Sequence, residues 1–339
     1  MRQPAWVCAH LFYYDNLSTL LTGCVKPVVE ICRARELITT YFFVRYWEGG
    51  PHIRLRLLPA SIDSEKEIRA VLAEASQQFF GTHPSQTSLD AQQYEKATGT
   101  LTQLIYGEGR QMPLQPADSL CYVPYQPEYD LYGGVEAMPH VEKLFMHSSD
   151  IALELLAEPM SKNSLTGQAM SMILLTAARY EPDMRKLAPG FSSHLNSWHR
   201  MPAELRTRLY SQFARQYQRQ RERLCLFARQ LLEKEWPESQ EHMLSLPPLA
   251  RWRAASADTY QTLRRLEQAG KVQGGESFEP LLSILFRCLH MHNNRMGIVL
   301  SEEAYVFFLV RQVIYELAGL SLPENEQFQT EGGTYGAMV

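Results

Sequence analysis

Arginine and histidine alternate along one short segment near the start of the chain. His52, Arg54 and Arg56 stand at every second position of HIRLRLL, so a strand would carry all three on one face. Because a guanidinium fork binds a carboxylate through two hydrogen bonds, one interpretation of this face is a clamp for carboxylate groups. The other interpretation is a solvated outer face, which nearby acids such as Glu48 neutralise.

The preceding segment TTYFFVRYW is rich in aromatic and β-branched residues and predicts a partner strand. A turn centred on Gly49–Gly50 would pair the two strands symmetrically, which places Arg45 opposite Arg54. The register matters because a shift by one residue moves every side chain of one strand to the opposite face relative to its partner.

Acidic and imidazole side chains recur in two later segments. YQPEYDLYGG holds Glu128 and Asp130 two positions apart, where they are either partners for the arginines or residues of the binding site. LHMHNNRMG holds His290 and Asn294 four positions apart on one face of a predicted helix. Two roles fit His290: a general acid or base, or a packing residue on that helix.

A basic helical stretch covers residues 198–235, which include nine arginine and lysine residues but only four glutamates. It is typical either of a docking surface for an acidic peptide or an RNA backbone, or of a solvated helix face.

Composition excludes several classes of protein. The chain has 339 residues and a formal net charge of -4, which argues against a protein dominated by nucleic-acid binding. The six cysteines are scattered without a Cys-x-x-Cys pair, so we expect no metal site, no disulfide framework and a cytoplasmic location. No apolar run approaches the roughly 20 residues of a membrane span, and no signal peptide is recognisable. Nucleotide-binding and zinc-protease motifs are missing from the sequence, and we expect no cofactor.

The order of predicted elements indicates an α+β fold. Residues 1–137 read as β-α-β-β-α-β, a split β-α-β sheet half, with a stretch at 92–106 as a candidate additional strand. Helical periodicity dominates residues 138–320, which we expect to form a mainly α-helical half packed on the sheet in one integrated domain. The polar, glycine-rich residues 321–339 predict a flexible tail.

Four segments together resemble a known family. FFVRYWEGGPHIRLRL, YQPEYDLYGG, VEKLFMHSSDIALELL and LHMHNNRMG occur in the order found in the C-terminal elimination domain of class I lanthipeptide dehydratases. The same family includes stand-alone thiopeptide-type bacteriocin biosynthesis proteins, among them pyridine-forming cyclases. The resemblance covers the chain from Trp6 to about Leu317.

The resemblance implies a lyase of ribosomal peptide natural product (RiPP) and antibiotic biosynthesis. A partner protein esterifies Ser or Thr of a precursor peptide with glutamate from its tRNA, and the elimination domain then removes the Cα proton and expels glutamate. Arg54 and Arg56 match the family's arginine pair and His290 its functional histidine, so these are the expected catalytic residues. The expected substrate-binding residues are Arg45, His52, Glu128, Tyr132, Asn294 and Arg295.

One position departs from the family pattern. Members active in elimination usually carry arginine directly before Tyr-Gly-Gly, where this chain has Leu131. The difference supports an alternative, the pyridine-forming branch, which joins two dehydroalanines in a formal [4+2] cycloaddition and expels water and usually the leader peptide. Because Arg54, Arg56 and His290 are retained, elimination is the first prediction, with Arg45 as the substitute cation.

The implied partners are a ribosomally made precursor peptide, with leader and core, and a tRNA-dependent glutamylating protein. We expect no membrane and no direct nucleic-acid contact, and a homodimer is compatible with the sequence. A hypothesis of another class is a non-catalytic subunit that binds the precursor peptide through residues 198–235 and presents it. A catalyst, unlike this subunit, needs Arg54, Arg56 and His290 to converge on one pocket.

Overall fold

Four short strands form one antiparallel sheet in the order β2-β3-β1-β4. They are β1 (Val7–Phe12), β2 (Ile38–Tyr46), β3 (His52–Pro59) and β4 (Ser119–Tyr122). This order is that of a split β-α-β unit, so the predicted α+β fold is confirmed, with a mostly helical part after the sheet. The computed structural model describes residues 5–106, 113–196, 203–235, 247–273 and 280–323.

The helices of the sheet-containing part follow β1 and β3. α1 (Leu17–Leu20) continues through a π-helical stretch (Leu21–Val25) into α2 (Lys26–Ala34), and β3 leads to α3 (Ser64–Thr82) and α4 (Ala91–Tyr106). The strand predicted at 92–106 is therefore wrong. Asp90 explains the helix, because its carboxylate accepts the N–H groups of Gln92 and Gln93 at 2.9 and 3.1 Å and so caps the first turn.

Helices make up most of the remaining described chain. They are α5 (Met138–Leu155), α6 (Lys162–Tyr180), α7 (Met184–Asn196), α8 (Ala203–Gln218), α9 (Arg221–Glu233), α10 (Pro248–Gln268), α11 (Pro280–Met296) and α12 (Leu300–Ala318). The basic stretch is thus two helices, with a turn between them. Residues 198–202 of that stretch, and the predicted tail beyond residue 323, lie outside the described residues. No described helix is both long and apolar enough to cross a membrane.

Contacts group the chain into two compact units that are both discontinuous in sequence. The first comprises Met1–Leu165 and Glu238–Val299, and within it α5 packs against β2, α10 and α11. The second comprises Thr166–Pro237 and Leu300–Val339, and within it α12 packs against α7, α8 and α9. The boundaries expected from composition, at residues 137 and 320, stay a prediction.

The register of the β2–β3 hairpin differs by one residue from the predicted register. Val44 pairs with Arg54, and Arg45 pairs with Ile53. The connection is the five-residue loop Trp47–Pro51, because the last pair of the ladder is Tyr46 with His52. A loop with an odd number of residues has no symmetric centre between two glycines, so Arg45 lies on the opposite sheet face from Arg54.

Side chains from two helices cover the outer edge of β2. The hydroxyl of Ser149 on α5 accepts the N–H of Phe43 at 3.2 Å. On α11, the amide of Asn294 accepts the N–H of Arg45 at 3.0 Å and donates to its carbonyl at 2.9 Å. These contacts protect an edge that would otherwise present unpaired peptide groups to another strand.

Candidate active site

One face of the sheet gathers the basic side chains of two strands. The period of two along β3 buries its isoleucine and two of its leucines completely, and turns His52, Arg54 and Arg56 to the other face. β1 adds His10, which pairs with Arg54. We call this side of the sheet the arginine face, and define it by these four residues.

Arg54 is held in place by three neighbours. His52 donates from Nδ1 to the carbonyl of Gly50 at 2.8 Å, so its Nε2 is left to accept the Nε–H of Arg54 at 3.1 Å. The Arg54 guanidinium also lies 3.3 Å from the ring centroid of Tyr46 and 3.5 Å from a carboxylate oxygen of Glu48. Glu48 therefore neutralises part of this charge, as one of the two interpretations of the sequence expected.

Two neutral histidines lie side by side on this face. His10 stacks on His52 with 4.9 Å between ring centroids. Burial, together with the neighbouring charges of the arginine face, lowers the pKa of His10 to about 3, and burial lowers the pKa of His52 to about 4. At neutral pH both rings are uncharged, so they add hydrogen-bonding groups to the face without adding to its positive charge.

Arg56 has a different environment, made of aromatic rings. Its guanidinium lies 5.0 Å from the ring centroid of Phe42 and 4.8 Å from that of Tyr125. Trp6 packs edge-on against both rings, at 5.4 and 5.3 Å. The Tyr125 hydroxyl donates to Glu142 at 2.8 Å, and burial raises the pKa of that carboxyl. Arg56 makes no hydrogen bond to any other described residue, so its donors are available to a ligand.

Two thiols border the arginine face. Cys8 pairs with Arg56, and Cys121 pairs with His10. Burial raises the pKa of Cys8 to about 11 and also raises the pKa of Cys121, so both thiols stay protonated at neutral pH.

A buried polar cluster lies on α11 and its neighbours. Arg295 has no exposed surface, lies 4.6 Å from the Phe145 ring centroid and donates to the Ser148 hydroxyl at 3.3 Å. That hydroxyl lies 2.9 Å from Nδ1 of His292, whose ring contacts Trp252. Burial lowers the pKa of Arg295 to about 9 and that of His292 to about 3. The Arg295 side chain lies beneath the surface. Its expected contact with substrate stays a prediction.

Arg45 does not join the arginine face, and its expected role as a substitute cation there is wrong. The corrected register turns it to the opposite side of the sheet, where its Nε donates to the Arg295 carbonyl at 2.9 Å. Its Nη2 donates to the Ser18 hydroxyl at 3.0 Å, and the guanidinium lies against Gly297. Arg45 thus connects the sheet to two helical segments.

The α11 residues of the predicted site have separate surroundings. Asn294 uses its whole amide on the backbone of Arg45, as described above, which is a structural task. His290, one turn earlier, is exposed. One further turn towards the start of α11, Arg287 donates to the Leu131 carbonyl at 2.8 Å. The convergence of His290 with Arg54 and Arg56 stays a prediction.

The segment after β4 contains a short 3-10 turn, Tyr129–Leu131. Glu128 precedes this turn and is exposed, and the acid observed beside Arg54 is Glu48. Tyr132 is buried with its ring edge-on to Phe145 at 5.3 Å. The substrate-binding roles expected for Glu128 and Tyr132 stay predictions.

Sequence reasoning missed His10, Tyr125 and Glu142 as neighbours of the arginines. His10 had a usable signal, because β1 alternates Val7, Ala9 and Leu11 with Cys8, His10 and Phe12. Tyr125 and Glu142 had none, since they reach Arg56 only through the packing of later elements on β2.

A family model described as "Lantibiotic biosynthesis dehydratase C-term" matches residues 6–314. The chain belongs to this family. Its members are peptide-modifying enzymes of RiPP biosynthesis. In a sequence comparison, no curated protein matches the chain.

Solved structures show the same fold at low sequence identity. The pyridine synthase TbtD from thiomuracin biosynthesis has a TM-score of 0.75 and 18% identity, over 93% of this chain and 99% of that one. TsrL has a TM-score of 0.65 and 16% identity, over 93% and 95%. The tRNA-dependent lantibiotic dehydratase MibB from Microbispora sp. 107891 has a TM-score of 0.58 and 18% identity, over 94% of this chain but 29% of that one.

Proposed function

We propose that this protein is a pyridine-forming cyclase that acts on a ribosomally made precursor peptide carrying two dehydroalanines. The proposal replaces glutamate elimination, our first prediction, with its alternative. One observation carries it: Arg45, the cation expected to compensate for Leu131, lies on the opposite face of the sheet. The structural similarity to the pyridine synthase TbtD supports the proposal, because the match spans 93% of this chain and 99% of that one.

The charge balance of the arginine face supports the same conclusion. Expulsion of glutamate needs a clamp for a leaving group that bears carboxylate charge. Here Glu48 lies beside Arg54, which leaves Arg56 as the cation with available donors. A dehydroalanine peptide is uncharged at its reacting atoms, and it suits a face with one available guanidinium, neutral histidines and aromatic rings.

The chemistry of the proposed reaction matches these groups. One amide tautomerises to its iminol, which makes a two-aza-diene, and two carbon–carbon bonds then form to the second dehydroalanine. Loss of water and of the leader amide makes the ring aromatic. We assign Arg56 to the amide oxygen, where its donors stabilise developing charge. We assign proton transfer to the Glu142 carboxyl, whose pKa is raised by burial, and to the Tyr125 hydroxyl that donates to it.

The test offers two synthetic peptides to the same protein. One carries two dehydroalanines and the other a glutamylated serine, and mass spectrometry follows ring formation and glutamate loss. We expect ring formation only. Arg56→Ala should lower its rate by about a hundredfold, the usual effect of removing one such donor. Arg35→Ala is the control, because Arg35 is an exposed arginine paired with Glu67.

The other outcomes identify the competing functions. Glutamate loss without ring formation would establish elimination and refute the cyclase. Binding of both peptides without either reaction would favour the presenting subunit. In the cyclase, Leu131→Arg should leave ring formation unchanged, whereas in an eliminating enzyme it should raise glutamate release.

A further inference from the structure

We propose that the outer edge of β4 binds an extended segment of the peptide substrate as a fifth strand of the sheet. The two edges of the sheet differ in a way that leads to this inference. Side chains of α5 and α11 cover β2, whereas β4 ends the described sheet with Tyr122 and Val123 more than a third exposed. The inference rests on the proposed function for the identity of the peptide.

The backbone of β4 is oriented for pairing. Val123 donates its N–H to the Cys8 carbonyl at 3.1 Å, so alternate residues of this strand direct their peptide groups at β1. The peptide groups of Leu120 and Tyr122 therefore point outward. An added strand of about four residues would use these donors and acceptors, in the manner of β-strand addition.

A cleft beside the edge provides space for side chains of the added strand. It has a volume of about 340 Å³, and it lies between α3 and β4. Apolar groups from Ala73, Phe80 and Leu120 line it together with polar groups from Ser76, Gln77 and Asp118. Because side chains of a strand alternate, every second residue of the peptide would enter this cleft.

The remaining residues of the added strand would point to the arginine face, which identifies the occupant as substrate. Cys121 pairs with His10, and His10 pairs with Arg54, so these side chains form one row across the sheet. Strands lie about 4.8 Å apart, which places a side chain of the added strand roughly 5 Å from the Cys121 position and roughly 10 Å from that of His10. A peptide bound at this edge is thus continuous with the candidate active site.

The experiment measures binding of a fluorescein-labelled linear peptide that carries two dehydroalanines. Gln77→Trp fills the cleft, and Gln78→Trp is its matched control, because Gln78 is an exposed neighbour on α3 that does not line the cleft. We expect Gln77→Trp to raise the Kd about tenfold and Gln78→Trp to leave it unchanged. Hydrogen–deuterium exchange of the wild type should show the amides of Leu120 and Tyr122 protected by the peptide.

A second probe keeps the test independent of how the variant folds. The same peptide, N-methylated at alternate residues, cannot pair with a strand edge and should bind the wild-type protein about tenfold more weakly. Unchanged exchange of Leu120 and Tyr122 at millimolar peptide would overturn the inference, whether or not rings form. Protection of these amides without ring formation would support the inference and refute the cyclase.

Discussion

Arg54 and Arg56 occupy alternate positions of one strand, yet their guanidinium groups have different freedom. Arg54 is fixed by His52, Glu48 and Tyr46, whereas Arg56 lies over two aromatic rings with donors available. The fixed guanidinium of Arg54 contributes to the shape and the electrostatic field of the arginine face. The guanidinium of Arg56 has donors that can bind the substrate. This division of tasks is why the proposed test of function substitutes Arg56.

Two histidines with lowered pKa values predict how stability depends on pH. An unfolded chain binds a proton on each histidine near pH 6.5, but folded His10 and His292 have pKa values of about 3. Acid therefore favours the unfolded state, and the free energy of unfolding should fall as the pH drops from 6.5 towards 4. Removing one such histidine, in His10→Leu, should reduce this slope by about 1 kcal/mol per pH unit.

Urea unfolding followed by fluorescence at several pH values between 4 and 8 measures that slope. A wild-type slope that His10→Leu leaves unchanged would contradict the assignment of His10 as a half-buried, neutral ring.

The pairing of β2 with β3 shows what could and could not be predicted for an element. Alternation in HIRLRLL correctly predicts that His52, Arg54 and Arg56 share a face. The register could not be predicted, because long-range contacts hold the loop: Gln115 donates to the Gly49 carbonyl at 2.8 Å, and Tyr13 donates to the Pro51 carbonyl at 3.1 Å. For that reason the structure has Arg45 on the face opposite to the one predicted.

The hydrogen bonds between Asn294 of α11 and the edge of β2 can be tested by substitution. Asn294→Leu removes two hydrogen bonds from the Arg45 backbone and leaves those groups buried, so it should cost about 2–4 kcal/mol of unfolding free energy. The freed edge should also promote association. The control is His290→Ala on the same helix, which removes an exposed side chain and should change stability by less than about 0.5 kcal/mol.

Chemical denaturation gives the stability of each variant, and light scattering gives its association. Equal stability of the two variants would mean that Asn294 does not hold β2.

At the scale of the whole molecule, two cores are built from interleaved parts of one chain. Sequence periodicity predicted a mainly helical part over residues 138–320, and α5 to α12 lie there. The division into units was beyond prediction, since α12 is joined to α11 in sequence but packs against α7, α8 and α9.

The interleaved cores predict that one unit can lose its structure while the other keeps it. Leu309→Asp places a charge at a buried position of α12, which should destabilise the second unit by more than about 4 kcal/mol. Hydrogen–deuterium exchange should then show faster exchange in α7, α8 and α9, with β1–β3 and α5 still protected. Leu300→Asp is the matched control, because Leu300 belongs to the same helix and is 50% exposed.

Loss of protection in every element of both units would instead show that the chain unfolds as one cooperative body.

The protonated thiols beside the arginine face have a chemical consequence if the proposed function holds. Dehydroalanine is an electrophilic alkene, and a thiolate adds to it to form a stable thioether. With a pKa of about 11, Cys8 is ionised in only about one molecule in ten thousand at neutral pH. An enzyme for such a substrate must avoid alkylating itself. Burial of Cys8 next to Arg56 therefore acts as a passive safeguard, and it keeps the protein from becoming the target of its own substrate.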